Sequence, residues 1–144
     1  MLTWTEAHRL SIARSSRVLK DLDQNCGGPV PLLEIAESEG VIARFAPMPS
    51  IAGAYVASDN GAPPGVMVNT NMPWSKQRFT LGHELGHHFF EHGSQTDVDT
   101  GQLNSLDRAS TSIDNEKLAE SFSAWLLMPR KRVTTAMKCI GGRK

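Results

Sequence analysis

His83-Glu84-Leu85-Gly86-His87, set in the apolar surroundings of residues 79–90, constrains this chain more than any other stretch. On an α-helix, residues four apart lie one above the other on the same face, so His83 and His87 can hold one metal ion together. Glu84 lies about 100° round from His83 and roughly 60° from His87, close enough to that face to handle a water on the metal. Two imidazoles suit Zn²⁺, and the adjacent carboxylate suits the general base of a metallopeptidase. The segment must therefore be helical, and the rest of the chain must supply a third ligand and a cleft.

The helix also has a second requirement. Leu81, Leu85 and Phe89 recur at four-residue spacing and should face a core. Gly82 and Gly86 share another face, where each costs up to about 1 kcal/mol of helix propensity relative to Ala. Close packing of another helix would justify them; a mobile helix would also tolerate them. Phe79 and Phe90 flank the metal face and would shield it from bulk water. Ser75, after Pro73-Trp74, is the expected N-cap.

The partner helix is expected from Asp114 to Met128, with Asp114 or Ser112 as cap and Pro129 as its end. Glu116 and Glu120 share one face, with the small residues Ala119, Ser123 and Ala124 near it. The preferred arrangement has Glu116 as third ligand and Glu120 as the hydrogen-bond partner of a ligating histidine. The reverse assignment stays open, as does Asp114. His88, His92 and His8 do not repeat the four-residue geometry and read as structural or solvent-exposed rather than as ligands.

With 144 residues, 40% hydrophobic and 21% charged, the chain is expected to form one folded domain over 1–144. Residues 1–30 are read as an N-terminal helix and linker, and 130–144 as a basic tail. Thr3-x-x-Glu6 is a capping box opening a helix to about Leu22, with Trp4, Ala7, Leu10, Val18, Leu19 and Leu22 on its buried side. A short helix follows over 31–39, closed by Gly40. Three strands are expected, over 41–45, 52–57 and 65–69, the last two separated by the turn signal Ser58-Asp59-Asn60-Gly61. No long crossover helix separates the second and third strands, so the sheet is expected to be largely antiparallel. Residues 92–112 read as a long loop, a candidate lid over the cleft. The fold class is thus α+β: a small zincin-like domain with a short three-stranded sheet packed on the metal-binding helix and further helices.

Lys+Arg and Asp+Glu number 15 each, so net charge gives no reason to expect nucleic-acid or membrane binding. No apolar run approaches the roughly 20 residues that span a bilayer, and arginines interrupt any signal-like core. Cys26 and Cys139 are read as two free thiols in a reducing cytosol. Tyr55, the chain's one tyrosine, is a candidate oxyanion donor; the alternative is a half-buried sheet aromatic. An edge strand at Tyr55 could also hold a substrate peptide by strand addition.

The His-Glu-x-x-His helix followed by Glu-x-x-Ala-x-x-Phe-x-x-x-Leu-Leu-Met-Pro resembles the ImmA/IrrE family of metallopeptidases. Glu116, Ala119, Phe122, Leu126, Leu127, Met128 and Pro129 occupy the matching positions, with Val68-Asn69 and residues 78–82 upstream. Where such proteins commonly carry Asn or Asp, this chain has Glu120. The resemblance implies a gluzincin-like fold, one zinc ion and a cytoplasmic setting. It further implies cleavage or inactivation of a helix-turn-helix repressor of a phage, mobile element or toxin-antitoxin system, encoded separately. The alternative is a zinc-binding module that senses or sequesters such a repressor without cutting it.

Overall fold

The computed structural model describes residues 1–20, 29–98, 110–128 and 137–138. Cys26 and Cys139, Leu22, Pro129, nearly all of the basic tail, and residues 99–109 of the expected lid lie outside the described residues. The elements run α1 (Trp4–Lys20), α2 (Leu32–Ser38), β1 (Ile42–Ala46), β2 (Ile51–Val56), β3 (Gly65–Asn69), α3 (Trp74–Phe89), β4 (Gln95–Val98) and α4 (Ser110–Leu127). No helix among the described residues is long and apolar enough to cross a membrane.

The sheet is four-stranded and mixed, in the order β1-β3-β2-β4. β2 pairs antiparallel with β3, Gly53 opposite Val68 and Tyr55 opposite Val66. The turn before β3 uses Asn60 (φ 48°) and Gly61 (φ 82°), both in the left-handed region that a tight hairpin turn requires. The sheet is largely antiparallel, as expected, with one parallel pairing and one additional strand. β1 lies parallel to β3, because the connection over 47–64 carries β2 and is long enough for a crossover. β4, inside the stretch read as a loop, pairs antiparallel with β2. The strand carrying Tyr55 is consequently flanked on both sides. Its main-chain groups are engaged in the sheet, which removes the edge-strand role.

β3 alternates as a half-buried strand does, with Val66 and Val68 buried and Met67 exposed. Its buried side meets Leu81, Leu85 and Phe89 of α3, the face that their spacing implies. At the end of β3, buried Asn69 ties down the β1–β2 connection. Its side-chain amide donates to the carbonyls of Met48 and Ile51 at 3.0 and 2.9 Å, and its oxygen accepts from the Met48 and Asn71 N–H groups.

α4 packs on α3, and α1 packs on α4. The capping box of α1 is present: the Thr3 N–H donates to Glu6 Oε2 at 2.9 Å, and the Glu6 N–H to Thr3 Oγ1 at 3.2 Å. The buried side of α1 differs from expectation. It is the four-spaced stripe Ala7, Ser11, Ser15 and Leu19, while Trp4 and Leu10 are exposed. Small side chains let two helices approach, and the serine hydroxyls find carbonyls: Ser11 donates to Leu118 O and Ser15 to Ile12 O. α3 starts two residues earlier than Ser75 predicts, with Pro73 at the N-cap and no side-chain cap.

Candidate metal centre

Two helices bring the site together. The glycine face of α3 is where α4 approaches. A methyl group on Gly86 would lie 3.0 Å from the Ala119 Cα, and one on Gly82 would collide with Ser123 Oγ. Ser123 Oγ also donates to the Phe79 carbonyl at 2.7 Å, fastening the crossing. From this distance Glu116 reaches the histidines. Its Oε2 lies 3.1 Å from His83 Nε2, and its Oε1 lies 3.2 Å from His87 Nε2.

Opposite α4, β2 closes the site. Gly53 sits so near α3 that a Cβ there would overlap Thr80 and lie 3.4 Å from the Glu84 Cγ. Glu84 and His87 are completely buried, His83 is nearly so, and the Glu116 side chain keeps 23% of its exposure. Potential ligand atoms of His83, Glu84 and His87 lie within 4.8 Å of one another.

The donor set fits a metal ion. His87 Nε2 and Glu116 Oε1 are buried and face each other, yet neither makes a hydrogen bond. A buried nitrogen and carboxylate oxygen in that state carry a desolvation cost that a shared cation would offset. Two imidazole nitrogens and one carboxylate also form the donor set of catalytic zinc sites. Burial raises the affinity of the Glu116 carboxyl for a proton. The hydrogen bond to His83 and the approach of His87 outweigh it, holding Glu116 well below the usual carboxylate range. The group facing the histidines is thus an anion.

The other candidates lie elsewhere. Glu120 is exposed. It sits one turn beyond Glu116 on the same side of α4. Asp114 accepts from the Leu2 N–H at 3.0 Å. Tyr55 is buried, and its hydroxyl meets His88 Nδ1 at 2.9 Å, while His88 Nε2 meets Glu39 Oε1 at 3.1 Å. Tyr55 projects from the Gly53 side of β2, but one helical turn past Glu84. In this structure its hydroxyl engages His88. Burial, with the charge of Glu91, pushes the Tyr55 hydroxyl pKa up. His8 Nδ1 meets Ser121 Oγ at 2.7 Å and Trp125 Nε1 at 3.1 Å, contacts that fasten α1 to α4.

One residue was missed by the spacing argument. His92, past the helix end, places its Nδ1 2.9 Å from His87 Nδ1, on the side of the ring away from Glu116. Burial, then the nearby His87, lowers its pKa to about 4 against the pull of Glu116, so the ring is neutral at pH 7. A histidine five residues beyond a ligand, at a helix end, is the signal that would have found it.

Residues 36–139 match the family Peptidase_M78, the IrrE N-terminal-like domain. No curated protein matches the chain. The family match spans well over half of the sequence, and the chain belongs to this family.

Proposed function

We propose that this IrrE N-terminal-like domain is a zinc-dependent endopeptidase that cleaves or inactivates an intracellular regulator, a helix-turn-helix transcriptional repressor. The observation that carries the peptidase reading is the convergence of His83, His87 and Glu116 beside buried Glu84, in a chain of a peptidase family. The repressor as substrate, and the cytoplasmic setting that goes with it, rest on the resemblance of the two helical motifs to ImmA/IrrE proteins.

His83 Nε2, His87 Nε2 and the Glu116 carboxylate would hold the ion. Zinc, when bound, polarises the scissile carbonyl and makes a water acidic near neutral pH. Glu84 is the base in this reading: it takes the proton of the attacking water and passes it to the leaving amine. Its complete burial between β2 and α3 leaves that carboxylate little exchange with bulk water. Phe79 and Phe90 border the same face of α3. The ordering of α4 against Gly82 and Gly86 fixes where Glu116 stands.

The test uses the purified full chain, zinc content measured by elemental analysis, and the repressor encoded beside it. With zinc, the wild type is expected to cleave the repressor, and chelation to abolish cleavage. Glu84→Gln should retain zinc and lose about 10²–10⁴-fold in cleavage rate. A wild type that holds zinc and binds the repressor without cutting it, with binding unaffected by Glu84→Gln, would establish the sequestering module instead.

A further inference from the structure

We propose that His92 is a positioning residue for His87, fixing the tautomer and ring orientation that direct His87 Nε2 toward Glu116. This rests on the metal-centre reading above.

The backbone prepares the contact. At the end of α3, Glu91 takes φ 55°, an uncommon conformation for a residue with a side chain. The Glu91 N–H donates to His88 O at 3.1 Å and the His92 N–H to His87 O at 3.0 Å. These two bonds define a Schellman cap, with His87 three residues before its C-cap and His92 two residues after. That geometry brings the side chains of those two positions together, ordinarily as an apolar contact. Here both are imidazoles, with ring centroids 5.2 Å apart.

The chemistry then selects one proton arrangement. The two Nδ1 atoms are at hydrogen-bond distance, so one carries a proton and the other a lone pair. An imidazole that ligates through Nε2 must be protonated at Nδ1. His87 Nδ1–H therefore donates to His92 Nδ1, and His92 carries its own proton on Nε2. Phe90 holds the acceptor ring in place, stacked at 14° with centroids 5.7 Å apart. Metal-ligating histidines commonly donate their other N–H to an acceptor that fixes ring and tautomer. In this chain a second histidine fills that place, delivered by the helix cap.

The experiment measures zinc affinity of the full chain by competition with a chromogenic chelator, alongside melting of the metal-free protein. His92→Leu removes the acceptor and is expected to lower zinc affinity by about ten- to a hundredfold. His92→Asn, whose Oδ1 can take the place of Nδ1, should recover most of it. The metal-free proteins should melt together. Long-range ¹H–¹⁵N spectra of the zinc-loaded wild type should show His87 protonated at Nδ1 and His92 protonated at Nε2, a readout that does not depend on any variant folding. Wild-type affinity in His92→Leu, equal losses in His92→Asn and His92→Leu, or the opposite tautomers would overturn the proposal. A wild type that binds no zinc in the same titration would sink the metal-centre reading itself.

Discussion

At the end of α2, Gly40 takes φ 70°, its N–H donates to Glu37 O at 3.0 Å, and the Val41 N–H donates to Ala36 O at 2.9 Å. At the end of α3, Glu91, His92, His88 and His87 stand in the corresponding places, with the same two bonds. The backbone solution is shared; the side chains it brings together are not. In α2 the apposed pair is Ala36 and Val41, both buried in the core. In α3 it is His87 and His92. Glycine avoids the steric cost of the left-handed conformation in α2, whereas α3 carries a glutamate there at a cost of about 1 kcal/mol. α3 has additional support: Arg14 donates to the Phe89 carbonyl at 3.2 Å and lies over the Phe89 ring. One backbone device thus contributes only packing at one helix end and reaches a candidate ligand at the other.

Four substitutions test that separation. The largest effect is expected from Val41→Ala, which empties part of a buried site. It should lower unfolding free energy by about 2 kcal/mol in urea denaturation and leave zinc affinity within about twofold. A tenfold loss of affinity would show that the two caps do not act separately. Next comes the pair Gly40→Ala and Glu91→Gly. A Cβ at Gly40 would meet nothing within 4 Å, so its cost is conformational alone, about 1 kcal/mol. Glu91→Gly should go the other way, by about 0.5 kcal/mol or less, because relief of strain is partly offset by a freer unfolded chain. Opposite signs in thermal denaturation would support the comparison; equal signs would break it. The smallest effect belongs to a capped end with no site beside it. The Glu6 carboxyl is held below its ordinary 4.5, first by the Thr3 N–H. Its contribution is present above that pH and lost as pH falls through the depressed value. Glu6→Ala should lower the melting temperature slightly at pH 7, with the difference shrinking under acid and no change in zinc binding.

What could be read from the sequence was what repeats locally. His83 and His87 share a helix face by spacing alone, and Leu81, Leu85 and Phe89 declare the core side. Gly82 and Gly86 implied a close neighbour, which Ala119 and Ser123 supply. The parallel pairing of β1 with β3 was not legible, because register between strands is settled by tertiary packing and β1 shows only a weak burial alternation. Gln95-Thr96-Asp97-Val98 is too polar to announce a strand, and pairing with β2 is what makes it one. The stripe Ala7, Ser11, Ser15 and Leu19 was hidden by larger apolar residues that the helix leaves outside. His92 went unrecognised because Glu91 stands where glycine would have marked the cap.

The seating of α1 on α4 bears on where this domain can be cut. Asp114 and Lys117 grip the two main-chain groups of Leu2, Ser11 meets Leu118, and Ser121 meets His8. All of these α4 residues belong to the helix that presents Glu116, and all of their partners precede residue 36, where the family match begins. The homologous stretch therefore leaves out residues that brace α4 in this chain. Trimmed to it, α4 would keep its inner face on α3 and lose its outer brace, so the sequence that defines the family depends for its third candidate ligand on sequence that does not.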